Sequence, residues 1–119
     1  MIATPWPLDI AYDAAAKTLT VSFDDGQRFT LPAEYLRVES PSAEVQGHHP
    51  SERQYVPGCR NVGISAIEPV GNYAVRLTFD DRHDTGIYSW ALLHELGREQ
   101  TERWARYLAG LAERGLSRD

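Results

Sequence analysis

The side chains best suited to chemistry gather at two places in this sequence. Asp80, Asp81, His83 and Asp84 stand within five positions of one another, and His48-His49 precede Pro50 in a long polar stretch. Imidazole and carboxylate groups brought together from a loop and a turn are ligands for zinc or ferrous iron. The lone cysteine, Cys59, is a further candidate ligand. A structural reading stands beside the metal one. Paired aspartates serve turn geometry, adjacent histidines before a proline are ordinary loop surface, and a histidine at a core rim is commonly hydrogen-bonded in place. Nucleophilic catalysis has weaker support, because no Gly-x-Ser-x-Gly elbow occurs and Cys59 has no catalytic signature around it. No phosphate-cradling glycine pattern is present either.

The acidic cluster lies in Val75–Trp90, which reads as a strand, a tight turn, a second strand and a helix start. An upstream stretch from Leu19 to Leu36 follows the same plan. There Leu19, Val21 and Phe23 share one strand face, Asp24-Asp25-Gly26 marks a two-residue hairpin turn, and Phe29 and Leu31 alternate on the return strand. Pro32 opens a short helix over Ala33–Arg37. Ahead of these, Leu8–Tyr12 alternates as a half-buried strand. A shift of 56 residues superposes Leu8 on Ile64, Phe23-Asp24-Asp25 on Phe79-Asp80-Asp81, Leu31 on Ile87 and Leu36 on Leu92. The expectation is an α+β fold of two β-β-β-α units, with antiparallel sheet packed on helices. By parity His83 shares the face of Thr85 and Ile87, which corresponds to the core-facing Phe29 and Leu31.

A C-terminal amphipathic helix follows. Ser89 is suited to cap the first helical segment, Trp90, Leu93 and Leu96 form its inward stripe, and Gly97 is placed to break or cap it. Trp104, Tyr107, Leu108 and Leu111 keep helical spacing until Gly115. Trp104 and Tyr107 are expected on the core, the alternative being an exposed stripe that would favour a dimer. The whole of 1–119 is expected to be one domain, with a core over about 8–97 and the last helix over about 98–114.

Composition narrows the function classes. A net charge of −5, with eleven arginines and Lys17 scattered along the chain, disfavours nucleic acid or anionic membrane as a partner. One cysteine permits no intramolecular disulfide and no cysteine-based zinc knuckle. No run approaches the roughly 20 apolar residues that span a bilayer, and no signal-peptide pattern opens the chain, so a cytoplasmic protein is expected. Val38–Val62, rich in Ser, Pro and Gly, is the loop expected to carry an interaction surface, together with Asp80–Asp84.

Particular residues carry a family resemblance. Leu36-Arg37 with Ser40-Pro41-Ser42-Ala43-Glu44 and Gly47-His48, then Ile67–Ala74, then Phe79-Asp80-Asp81-x-His83-Asp84-x-Gly86-Ile87-Tyr88-Ser89-Trp90, closely resemble the gamma-butyrobetaine hydroxylase-like N-terminal domain family. The resemblance implies an accessory domain, found in front of the catalytic barrel of carnitine-pathway hydroxylases and attached to iron–sulfur cluster carrier ATPases. That barrel has no counterpart in these residues, so hydroxylase activity is not expected. The resemblance also implies a zinc site of three cysteines and one histidine. Those positions fall on Ser40, Ser42, Val45 and His83, and serine hydroxyls are poor substitutes for thiolates. Arg82 stands where the family usually has glycine.

The leading expectation is thus a non-catalytic accessory or protein-interaction domain of uncharacterised role, linked to iron or iron–sulfur metabolism. Its expected partner is a protein, in the narrower form of the expectation a metalloprotein, and no cofactor is expected. The alternative is a zinc- or iron-binding domain built on His83 with His48, His49 or carboxylates. An independent enzyme ranks third. Oligomeric state is left open.

Overall fold

A computed structural model of the chain describes residues 5–40, 58–80 and 86–118. Its elements run β1 (Pro7–Asp13), β2 (Thr18–Phe23), β3 (Arg28–Pro32), α1 (Ala33–Val38), β4 (Ile64–Val70), β5 (Ala74–Phe79), β6 (Gly86–Ser89), α2 (Trp90–Arg98) and α3 (Gln100–Glu113). The strands form two antiparallel three-stranded sheets, β1-β2-β3 and β4-β5-β6. This is the α+β arrangement of paired β-β-β-α units, completed by a C-terminal helix. No helix among the described residues is long and apolar enough to cross a membrane.

Alternation explains the strands. Leu19, Val21 and Phe23 of β2 are buried, as are Val75, Leu77 and Phe79 of β5. The intervening polar residues lie on the opposite face, where the Thr20 and Thr30 hydroxyls approach to 3.3 Å. Each unit then turns into its helix in the same way. The Ala33 N–H donates to the Lys17 carbonyl and the Trp90 N–H to the Tyr73 carbonyl, both at 2.9 Å. Otherwise unsatisfied donors of the first helical turn are met in this manner. Lys17 takes a φ of 56° at this junction. The Ser89 hydroxyl accepts from Leu92 N at 3.0 Å, the expected N-cap.

The internal repeat is real in architecture but its register is not uniform. Pro7–Asp13 and Ile64–Val70 are offset by 57 residues at both ends, whereas Thr18–Phe23 and Ala74–Phe79 are offset by 56. Pro32 and Ser89, which end β3 and β6, are again 57 apart. The first turn is one residue shorter in the second unit, and the span from Phe79 to Ser89 is one residue longer than that from Phe23 to Pro32. Both first strands carry their irregularity at the same place, between Pro7 and Asp9 and between Ile64 and Ala66.

An ungapped 56-residue shift is therefore corrected outside β2 and β5. Leu31 corresponds to Tyr88, not Ile87, and Leu36 to Leu93, not Leu92. Tyr88 and Leu93 are fully buried, and Ile87 is 47% exposed. A one-residue change of offset moves a strand's side chains to the other face. The parity argument that set His83 on the core face falls with this premise, and His83 itself lies outside the described residues. Leu8 likewise does not match Ile64. It is 69% exposed, because the irregularity beside it breaks the alternation of β1.

Two tyrosines tie the units together. The Tyr35 hydroxyl on α1 donates to the Leu96 carbonyl on α2 at 2.7 Å, and the Tyr88 hydroxyl on β6 donates to the Leu36 carbonyl on α1. Nearer the surface, Ile64 N donates to the Tyr12 hydroxyl at 3.0 Å and Lys17 Nζ to the Asn61 carbonyl at 2.6 Å. Burial holds the phenols of Tyr35, Tyr88 and Tyr107 above the ordinary tyrosine value.

Two expectations about glycines change. Gly97 neither breaks nor caps α2; it lies inside the helix, where an added Cβ would stand 2.2 Å from Cγ of Phe29 on β3. Only a residue without a side chain lets α2 approach the first sheet so closely. At the first hairpin, Gly26 has φ of 86° while Asp25 has no positive φ. Phe23 N donates to the Gln27 carbonyl at 2.8 Å and Gly26 N to the Phe23 carbonyl at 3.2 Å. The loop therefore has three residues, a type I-like turn closed by a left-handed glycine, in place of the expected two-residue turn.

Gly115 does end α3. Leu116 N returns to the Leu111 carbonyl at 2.9 Å and Gly115 N to the Ala112 carbonyl at 3.2 Å, the bonding of a Schellman motif. Tyr107 is buried and Trp104 packs partly buried against the core, so the expected core packing of this pair holds.

Candidate functional site

Among the described residues, no group of three histidine, cysteine, aspartate or glutamate side chains is placed to hold a metal. Of the residues proposed for chemistry from sequence, His48, His49, Asp81, His83 and Asp84 lie outside the described set, as do Ser42 and Val45. Asp80, Ser40 and Cys59 lie inside it, Cys59 buried in the hydrophobic core.

Asp80 is part of a backbone clamp. Its amide donates to the Gly63 carbonyl at 3.0 Å, and its Oδ1 accepts from Gly63 N at 2.9 Å. Asp24 repeats this with Trp6, at 2.9 Å and 3.0 Å. Each first aspartate of the Asp-Asp pairs thus closes the edge between the first two strands of its unit. The recurrence of Phe-Asp-Asp has a structural cause that its sequence did not reveal.

Ser40 is fully buried after α1. Its hydroxyl hydrogen-bonds the Tyr88 phenol. Gly86 leaves room for this group, since an added Cβ there would stand 2.8 Å from Ser40 Oγ and 2.7 Å from the Tyr88 ring. A neutral hydroxyl engaged with a phenol cannot replace a zinc thiolate. With serine, serine and valine at three positions of the implied ligand set, the donor chemistry does not fit the family's zinc.

His94, a residue that sequence reasoning passed over, makes the best-defined polar group. It is buried on α2, with Nε2 2.8 Å from Asp25 Oδ2 in the first hairpin. Arg98 Nε donates to His94 Nδ1 at 3.2 Å. Since Nδ1 accepts, Nε2 carries the proton and donates to Asp25. The ring meets Phe23 and Phe29 edge-on, with centroids 4.9 and 5.4 Å apart. The backbone N–H of Gln27, followed by the His94 contact, holds the Asp25 carboxyl below its ordinary value of 3.8. Both imidazole nitrogens are committed, so this is a fastening between α2 and the hairpin and not a general base beside a nucleophile. The i, i+4 spacing of His94 and Arg98 was the available sequence signal.

A groove of about 660 Å³ runs between the start of α1 and the α2–α3 junction. Pro32, Tyr35, Trp104, Ala105 and Leu108 supply its apolar wall, with Arg98 and Arg118 at its polar margin. The buried Glu34 carboxylate accepts from Arg118 Nε at 2.8 Å and from its second nitrogen at 2.7 Å. The same guanidinium lies 5.2 Å from the Trp104 ring centroid. Fork geometry and ring face together make a well-defined arginine seat. A smaller recess of about 330 Å³ lies elsewhere, walled by Trp6, Tyr73 and Trp90. Trp6 meets the other two rings edge-to-face, and Trp90 Nε1 donates to the Asn72 carbonyl at 2.9 Å.

The fold and these contacts define a small α+β domain in which Asp24, Asp80, His94, Tyr35 and Tyr88 make structural hydrogen bonds. The chain belongs to the gamma-butyrobetaine hydroxylase-like, N-terminal family, whose model matches residues 10–94. Two NMR solution structures of similar proteins superpose with TM-scores of 0.84 and 0.83, at 47% and 48% identity. These alignments cover 98% and 99% of this chain, and 92% and 90% of the other chains. A crystal structure from Acidithiobacillus ferrooxidans, of a protein with unknown function in the DUF971 family, matches at 37% identity and a TM-score of 0.65. That match covers 76% of this chain and 91% of the other. No curated protein matches the chain.

Proposed function

We propose that this chain is a non-catalytic protein-interaction domain that docks a partner in the groove between α1 and α3. The observation that carries the reading is the groove's wall: Leu108 stays 38% exposed beside a half-buried Trp104. Meanwhile the carboxylates Asp24, Asp25, Glu34 and Asp80 and the imidazole of His94 serve structural contacts. Aromatic and aliphatic anchors with a charged margin are what protein interfaces use at their centres. The accessory role that the family resemblance implies agrees with this, and the further expectation of an iron or iron–sulfur protein as partner rests on that resemblance alone. The surface expected on Val38–Val62 and Asp80–Asp84 lies mostly outside the described residues; within it Asp80 is held in its clamp, and the groove is the face this proposal rests on.

A pull-down from native extract with the wild-type chain and with Ala105→Trp tests it. Ala105 is exposed on α3, so the indole fills the groove without entering the core. A partner captured by the wild type and lost from a folded variant is expected. Capture unchanged by the filled groove, or no capture at all, overturns the reading.

A further inference from the structure

The groove already holds one ligand-like group, and it comes from the chain itself. After the Gly115 cap, Leu116–Arg118 turns back along Gly58–Arg60. Gly58 N donates to the Ser117 carbonyl at 3.1 Å and Arg60 N to the Arg118 carbonyl at 3.0 Å. Arg118 then reaches across to α1, placing both its forked donors on Glu34 and its plane near Trp104. Glu34 is buried, whereas Leu116 and Ser117 are exposed and the Arg118 side chain is 30% exposed. A buried carboxylate is thus served by a surface tail, and the apolar wall formed by Trp104, Ala105 and Leu108 extends beyond it.

Resting on the docking role given above, we propose that the Glu34–Trp104 seat recognises an arginine of the partner, and that Arg118 occupies it in cis until displaced. The occupant is an arginine-bearing protein segment. Its guanidinium takes the fork on Glu34, and its neighbouring apolar side chain lies along Ala105 and Leu108. Lysine is a poor replacement, because a point ammonium cannot donate two parallel bonds to one carboxylate or stack on an indole equally well. A net charge of −5 favours the approach of a basic segment. The tail sets the threshold. Held by a short connection, it competes at an effective concentration on the order of millimolar. A free arginine peptide therefore binds weakly to the wild type, and a partner succeeds through its added apolar contacts.

The test uses the full chain and the peptide acetyl-Leu-Ser-Arg-amide, with lysine and alanine analogues, followed by calorimetry and the indole N–H resonance of Trp104. Arg118→Ala is expected to bind the arginine peptide at least tenfold more tightly than wild type does, and at least tenfold more tightly than it binds the lysine analogue. Arg118→Lys keeps a cation beside Glu34 and so serves as the second variant if alanine unfolds the chain; it is expected to bind the arginine peptide more tightly than wild type. Equal affinity of all three chains, no preference for arginine, or no movement of the Trp104 resonance overturns the proposal. Self-association of Arg118→Ala with wild-type chain in light scattering overturns it too, by making a second copy's tail the occupant. If the peptide fails while Ala105→Trp still abolishes partner capture, the docking reading stands and only the arginine preference falls.

Discussion

Replacing Gly97 by alanine inverts an ordinary rule. Inside a helix, alanine is favoured over glycine by about 1 kcal/mol. At Gly97, however, the new Cβ would stand 2.2, 2.4 and 2.6 Å from three atoms of the Phe29 ring. Those separations are roughly 1 Å short of an ordinary contact, so the ring or the helix must move. The ring has little freedom, being packed against Phe23 at 6.0 Å and His94 at 5.4 Å between centroids. Overpacking of this kind costs about 1–3 kcal/mol, and contact with three ring atoms places it toward the upper end. After the propensity gain, the expected net loss is about 1–2 kcal/mol, or roughly 4–10 °C in Tm for a chain of this size. Urea unfolding followed by circular dichroism reads it. The decisive comparison is the Phe29→Ala background, where the ring is gone and Gly97→Ala should become neutral or stabilising by up to about 1 kcal/mol. A coupling near zero between the two substitutions, or stabilisation by Gly97→Ala alone, would refute the close approach of α2 to β3.

Three further outcomes follow from the same contacts. Asp24→Ala and Asp80→Ala each remove one side-chain bond to a backbone N–H and should cost similar amounts, about 0.5–1 kcal/mol in urea unfolding; one large and one negligible value would deny the shared clamp. The folded Asp25 carboxyl lies below its unfolded value of 3.8, so its contribution is full above that value and lost as pH falls through it. The stability gap between wild type and Asp25→Asn should therefore stay level from pH 6 to about pH 5 and narrow as pH falls from 3.8 through the lower folded value, and a gap that widens on acidification contradicts the assignment. Protein purified without a histidine tag should carry zinc or iron far below one equivalent by elemental analysis, since Ser40 is committed to Tyr88; stoichiometric metal would revive the ligand site.

Much of the architecture was legible in the sequence. The apolar alternation of Leu19, Val21 and Phe23, repeated at Val75, Leu77 and Phe79, gave the paired strands, and Ser89 and Gly115 gave two helix ends. What misled was turn length. One residue lost between β4 and β5 and one gained between Phe79 and Ser89 restore the overall spacing, so an ungapped comparison looks sound while setting Ile87 on the wrong face. Gly97 misled for another reason: a glycine needed for close packing is indistinguishable, in one sequence, from one needed for a cap. The candidate site was less legible. The acidic cluster drew attention through residue type, although Asp80 serves the backbone. Glu34 and Arg118 lie 84 positions apart, so no local pattern announces their pairing.

Photo-crosslinking from the groove tests the central claim most directly. With p-benzoylphenylalanine at Leu108, the native-extract crosslink is expected to be one predominant protein adduct, absent when the label is moved to Arg76 on β5 and lost when Ala105→Trp fills the groove. An adduct that forms equally from both positions, or none from Leu108, would contradict a docking role for this face.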